Sequence, residues 1–262
     1  MKHSPIRRAP ARTQRRYNMR PSPLHHPMFS KVTMPLMLAS AGSPPAPAMV
    51  DLRKWFPGIR DQGSEGSCTG QATSACREVL YGSYHNQVLL NRRSPAYLYA
   101  RTRMAEGTWP SDAGATMADE FAVLQSYGVC SESDMPYDMD PAEPIPNIAD
   151  ADAAAFRVPT PAWVDMGDPN NAMQVLANGM PIGIAIPVYQ SFEDVRSDGR
   201  VPMPNPDVEP MLGGHGLPIL GYDADKKFWI VANSWGTGWG DSGFCYIPFG
   251  YPMWEAWTAP KS

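Results

Sequence analysis

The first fifty residues contain no aspartate or glutamate. All 26 acidic residues of the 262-residue chain lie beyond Val50, with 14 of its 22 lysines and arginines. A leading segment of charge +8 therefore precedes a body of charge −12. Cysteine is scarce, at four, so no disulfide framework carries the fold and the redox compartment stays open. Histidine is scarcer where it matters: of five, only His85 and His215 lie in the body. No run of about 18 apolar residues occurs, which argues against a membrane-spanning helix. No cluster of His, Cys and carboxylates has metal-ligand spacing, so no metal is expected. No cofactor signature is readable, and none is expected. The glycine loop at 61–67 lacks the lysine of a phosphate loop, and no internal repeat is visible.

The leading segment holds nine prolines in fifty residues and no amphipathic period. Such composition cannot offset its own ordering entropy. "VTMPLMLASA" (32–41) is its one candidate for a secretion-signal core, but it is short, contains Pro35 and follows about 30 polar residues. Localisation, secreted or intracellular, is left open. "AGSPPAPAM" (41–49) reads as a linker, which divides the chain into a tail of 1–47 and a folded domain of 48–262. The arginines of the tail could serve an anionic partner, but no aromatic interleaving or RNA-binding motif accompanies them, and no nucleic acid is expected.

Helical patterns dominate residues 68–128. "CTGQATSACREVLYGSY" places Ala72, Cys76, Val79 and Leu80 on one side. "SPAYLYARTRM" has Ser94 as a cap, and "ATMADEFAVLQSYG" stops at Gly128. Residues 138–160 read as a Pro/Asp/Ala connection. Strand patterns follow at 181–189, 216–223, 227–233 and 243–249. Helices first and strands later predict an α+β fold, about 50–155 helical and about 156–250 β, with a cleft between.

Within "DQGSEGSC" (61–68) a cysteine sits where a flexible loop becomes a helix. A helix N-terminus carries unpaired N–H groups and about half a positive charge, which lowers a thiol pKa. Glycines such as Gly66 let a substrate approach the backbone. Cys68 is thus placed for nucleophilic chemistry, although a lone cysteine is more often a small buried hydrophobe. A thiolate needs a base and the base an orienting group. His215 in "LGGHGLPILGYD" and Asn233 in "FWIVANSWGTGWGDSGF" lie on neighbouring strand patterns.

These segments together resemble the papain-like cysteine peptidases. "VDLRKWFPGIRDQGSEGSC" resembles the family's mature N-terminus, "GGHGLPILGYD" its histidine strand, "NSWGTGWGDSGF" its asparagine segment and "YGVCSESDMPYD" a helix exit. His215 and Asn233 follow Cys68 by 147 and 165 residues, near the loose spacing rule. The resemblance implies a two-lobed fold, with a helical left lobe and an antiparallel β-barrel-like right lobe. It implies a cysteine endopeptidase acting on peptide or protein substrates. Cys68 would be the nucleophile, His215 its imidazolium partner, Asn233 the residue orienting His215, and Gln62 an oxyanion-hole donor with the Cys68 N–H. Trp235 would shield the Asn–His bond. Gly114 would pair with substrate backbone and Met117 line a pocket, unless Met117 is ordinary helix core. "PVYQSF" (187–192) would form the facing wall.

Departures from the family pattern are visible too. Glu65 replaces a disulfide cysteine and Thr69 a tryptophan. Only 13 residues follow Phe249, so the wall there is expected to be reduced. The family's long helical prosegment is missing. The basic tail stands in its place as a candidate inhibitory propeptide, with residues 32–38 over the pocket; a bland arm or transit sequence is the other reading. A peptide-binding protein without catalysis, or a thiol acyltransferase, would share the fold.

Overall fold

The structure, a computed structural model, describes residues 15–23, 25–27, 45–137, 142 and 144–260. Its helical half is built around α1, Cys68–His85, which ends at Asn86 with a left-handed φ of 54°. Every residue from Cys68 to Leu80 is buried. The one-sided stripe expected from the sequence is therefore too narrow: α1 is a central rod, and its small residues let neighbours pack all round it. Helix α2, Pro95–Ala105, starts on Ser94, whose hydroxyl accepts from the Tyr97 N–H. Helix α3, Met117–Ser126, starts likewise on Thr116, which accepts from Asp119 N–H. The stretch read as a connection contains a further helix, α4, Asn147–Ala153. Only Ala149 and Ala153 of α4 are buried, so no apolar period announces it.

The other half is one antiparallel sheet. Its strands are β1 (Met49–Asp51), β2 (Ala162–Trp163), β3 (Ile182–Tyr189), β4 (Met211–Asp223), β5 (Phe228–Ala232), β6 (Phe244–Pro248) and β7 (Glu255–Thr258). Helices α5, Pro169–Ala177, and α6, Gln190–Glu193, lie between β2 and β4 in sequence. The strand order is β2-β7-β3-β4-β5-β6, with β1 added on β4. The end strands β2 and β6 do not pair, so among the described residues the sheet is open rather than barrel-closed. Two-residue β2, paired only with β7, has no reach to close it. The chain after Phe249 is also fuller than its length suggests. All four residues of β7 are buried, and β7 pairs with β3.

Strand β4 positions the site. Its first part pairs with β3 from Met211 to Ile219, and its last part with both β5 and β1. One backbone edge near Gly213–Gly216 is thus left for other contacts. Here the halves meet closely. A Cβ on Gly216 would lie 3.2 Å from the Thr69 backbone and 3.0 Å from the Met117 methyl. A buried ion pair ties the loop before Gln62 to α1: Arg60 donates to both Glu78 oxygens at 3.0 and 2.7 Å, and Arg93 N–H adds a bond of 2.7 Å. Removing either partner of such a pair would leave a buried charge uncompensated, which is strongly destabilising.

Candidate active site

Cys68 is the first residue of α1. The capping Ser67 does not spend its hydroxyl on the helix; that oxygen lies 2.5 Å from the Tyr137 hydroxyl. Backbone N–H groups of Gly216 and Thr69 face the Cys68 sulfur. Gly216 follows His215 directly, so the thiol and the imidazole belong to facing walls of one seam.

The His215 ring is held on three sides. Its Nε2 lies 2.9 Å from Asn233 Oδ1, which also accepts from Ser234 N–H at 2.8 Å. An oxygen that accepts twice requires the proton on Nε2, and Nδ1 has no partner among the described residues. Trp235 stacks on the imidazole with ring centroids 4.8 Å apart at 22°, and Phe192 meets it edge-on at 6.4 Å. The 187–192 segment thus supplies a wall to the histidine, through Phe192.

Gln62 is gripped at both ends. Its Oε1 accepts from Ser234 Oγ at 2.6 Å, and its NH2 donates to the Glu65 carbonyl at 2.8 Å. Tyr137 donates to the Gln62 carbonyl at 3.0 Å. Glu65 interacts with the hydroxyls of Tyr137 and Ser67, and burial raises its pKa.

The tail lies across this seam. Gly214 N–H donates to Tyr17 O at 3.2 Å from one wall, and Arg20 N–H donates to Ala115 O at 3.3 Å on the other. Both pairings are parallel bridges, Asn18 with Gly214 and Arg20 with Thr116. Gly66, Gly114, Gly213 and Gly214 allow the approach, because a Cβ at any of them would collide with Tyr17, Asn18 or Met19. Carboxylates then hold the side chains. Arg16 meets Asp112 at 2.8 Å, Arg20 meets Glu106, and the Tyr17 hydroxyl meets Glu193. Ser22 gives its N–H and hydroxyl to buried Glu255 at 2.9 and 2.8 Å. His26 reaches Asp119 at 3.0 Å, and Arg15 lies 4.0 Å over the Trp235 ring. The expected contact by residues 32–38 falls outside the described residues; the crossing segment is 15–22.

Under this cover Cys68 and His215 are both fully buried. Burial pushes the thiol up to about 12, outweighing the N–H groups of Gly216 and Thr69. Burial pushes the imidazole down to about 4, against the Asn233 hydrogen bond that favours its charged form. In the covered state the lowering expected from the helix N-terminus is therefore opposed by burial, which disfavours both the thiolate and the imidazolium.

Gln62, Cys68, His215, Asn233 and Trp235 are thus brought together by the fold. Residues 46–252 match the family described as papain family cysteine protease. The chain belongs to that family. It is 30 % identical over 203 residues to an uncharacterised peptidase C1-like protein of Acanthamoeba polyphaga mimivirus, covering 73 % of this chain and 64 % of that protein. It is 26 % identical over 215 residues to cathepsin L of Sarcophaga peregrina, covering 77 % and 60 %. These matches span under two thirds of either relative. Among solved structures, xylellain, a cysteine protease from Xylella fastidiosa, superposes with a TM-score of 0.81 at 25 % identity, covering 99 % of this chain and all of that one. Procathepsin L 3 of Tenebrio molitor shares the fold, with a TM-score of 0.65 at 22 % identity.

Within this papain-family frame the substrate-side residues divide. Gly66 and Gly114 lie directly beneath Asn18. Gly114 spends its N–H on the Tyr99 hydroxyl at 3.0 Å, and the neighbouring Ala115 offers the carbonyl that pairs. Met117 is fully buried against Thr73 and Gly216, as helix core. Ser234, Tyr137 and the carboxylates that hold the tail escaped the sequence reading. Ser234 stands beside Asn233 in the quoted motif; nothing local marks the others.

Proposed function

We propose that the protein is a cysteine endopeptidase whose N-terminal tail, within residues 1–47, occupies the cleft of a peptidase domain at 48–262. Cys68 is the nucleophile and His215 its proton partner. Asn233 orients the imidazole, Trp235 shields their bond, and the Gln62 amide with the Cys68 N–H receives the oxyanion. The observation that carries this reading is the His215 ring, hydrogen-bonded to Asn233 at 2.9 Å and roofed by Trp235, on the strand whose next N–H faces the Cys68 sulfur.

The reaction follows from the side chains. With the tail displaced, water and the facing imidazole relieve the burial that keeps Cys68 a thiol. A proton then passes from Sγ to Nδ1 of His215, whose Nε2 is already committed to Asn233. The thiolate attacks the peptide carbonyl. Charge on the oxygen is met by the Gln62 NH2 and the Cys68 N–H. The imidazolium gives its proton to the leaving amine, and water attacks the acyl-enzyme with His215 as base.

The inhibitory role of the tail rests on backbone pairing with both walls and on Tyr17 set edge-on to His215, with centroids 6.5 Å apart. Peptide or protein is the substrate class, since a chain in extended pairing already fits the seam. A panel of short fluorogenic peptides under reducing conditions tests the reading. Hydrolysis by the wild type, absent in Cys68→Ala, is expected; hydrolysis that survives Cys68→Ala would overturn it.

A further inference from the structure

Behind the His215–Asn233 pair, between α1 and β5, is a small cavity with about 10 Å³ of room for a water centre, bordered by Phe56, Arg60, Gln71, Asn233 and Ser234. That is the room one water molecule needs. The polar atoms around it are out of balance. Twelve buried side-chain N or O atoms in the described residues have no hydrogen-bond partner, and four of them belong to residues of this one lining: Arg60 Nε, Asn233 Nδ2, and Gln71 Oε1 and Nε2. Buried polar groups are rarely left unpaired, so such a concentration marks a ligand position.

The donor and acceptor count fits water. Asn233 and Arg60 bring only donors, so a water that accepts from both has hydrogens left to give, which suits the Oε1 end of the Gln71 amide rather than its NH2 end. Asn233 Nδ2 and Arg60 Nε are donors; Gln71 Oε1 is an acceptor. One water accepts two hydrogen bonds and donates one, within the usual two to four. A cation is disfavoured by the Arg60 guanidinium, and an organic group by the volume.

We propose that this cavity is the site of one ordered water molecule, and that Gln71 is a positioning residue acting on His215 through that water and Asn233. Asn233 Oδ1 accepts from both His215 and Ser234 N–H. A turned amide would place its NH2 against two N–H donors. The water, by accepting from Nδ2, holds the amide in the orientation that keeps the proton on His215 Nε2 and leaves Nδ1 for Cys68. Gln71 lies three residues beyond Cys68 on α1, so the helix that carries the thiol also sets the tautomer of its partner. The catalytic meaning rests on the peptidase reading above; the water site does not.

The test uses the full chain. Nitrogen-15 histidine spectra should give His215 as a single Nε2–H tautomer in the wild type, a mixture in Gln71→Leu, and the single tautomer again in Gln71→Glu, which keeps an acceptor oxygen. In peptide turnover, Gln71→Leu should lower kcat about tenfold, with KM little changed. A high-resolution crystal structure of the unmodified chain should place a water within hydrogen-bond distance of Asn233 Nδ2 and Arg60 Nε, which covers a Gln71→Leu chain that fails to fold. An empty cavity in that crystal, or an unchanged His215 tautomer in a folded Gln71→Leu chain, overturns the proposal. Both readouts decide even if no peptide is hydrolysed.

Discussion

Cys68 and Cys76 lie two turns apart on α1, and burial pushes both thiols up. For Cys76 burial is the whole cause. For Cys68 the N–H groups of Gly216 and Thr69 pull the other way. The covers differ as well. Cys76 is enclosed by the core, whereas the seam holding Cys68 is crossed by the tail, whose Met19 joins the same apolar cluster. Burial alone therefore does not separate a structural cysteine from a reactive one. The separation lies in whether donors wait for the thiolate and whether the cover can leave.

The largest test of that contrast substitutes each sulfur. Cys68→Ala should lower peptide turnover by at least about 10³-fold while costing, as another buried sulfur, on the order of 1 kcal/mol of stability. Cys76→Ala should leave turnover within a factor of about two and cost on the order of 1 kcal/mol in urea unfolding. A second test removes the donors rather than the thiol. Gln62→Ala should lower kcat about 10²-fold, as for one oxyanion donor. Tyr137→Phe, which frees the Gln62 carbonyl and also removes the hydroxyl contacts to Ser67 and Glu65, should lower it about tenfold. A third loosens the cover. Tyr17→Ala with Arg20→Ala deletes the contacts to Glu193 and Glu106 and should raise turnover of a small peptide about tenfold. Raising salt should shrink that gain, because the charged contacts are then screened in the parent too.

The smallest test concerns pH and the covered state. His215 falls from 6.5 to about 4 on folding, so the unfolded chain binds the extra proton and stability is lost as pH falls from 6.5 to 4. Buried Glu120, beneath the first turn of α1 and accepting from Thr69 Oγ1 at 3.1 Å, rises from 4.5 to about 8. There the folded chain holds the extra proton, and stability is lost as pH rises from 4.5 to 8. Burial raises Glu65, Glu106 and Glu255 in the same sense. Thermal melts should therefore peak in mildly acid buffer, and Glu120→Gln should flatten the alkaline side. A melt temperature that climbs steadily to pH 8 in the parent would contradict this assignment.

The sequence was most legible where the chemistry is local. A glycine loop ending on Cys68 before a helix-forming run marks a helix start, and scarcity singled out His215 in the body. Asn233 and Gln62 followed from their segments. Helix α4 was hidden because two buried alanines carry no period, and β7 because four residues after Pro252 are too few to show alternation. The docking of residues 15–22 was not legible for a physical reason: it rests on backbone pairing and on arginine, tyrosine and serine meeting carboxylates, which leave no hydropathy signature. The protonation of the site was hidden as well. A helix N-terminus lowers a thiol pKa only where desolvation does not exceed it, and desolvation here depends on a segment about 50 residues away in sequence.

The most direct measurement is the rate and position of labelling by a thiol-reactive epoxide, mapped by mass spectrometry, in the full chain and in its Tyr17→Ala/Arg20→Ala variant. The account predicts modification at Cys68 alone, with Cys76, Cys130 and Cys245 spared, and faster labelling in the variant. Modification of another cysteine in preference to Cys68, or equal rates in the two proteins, would contradict it.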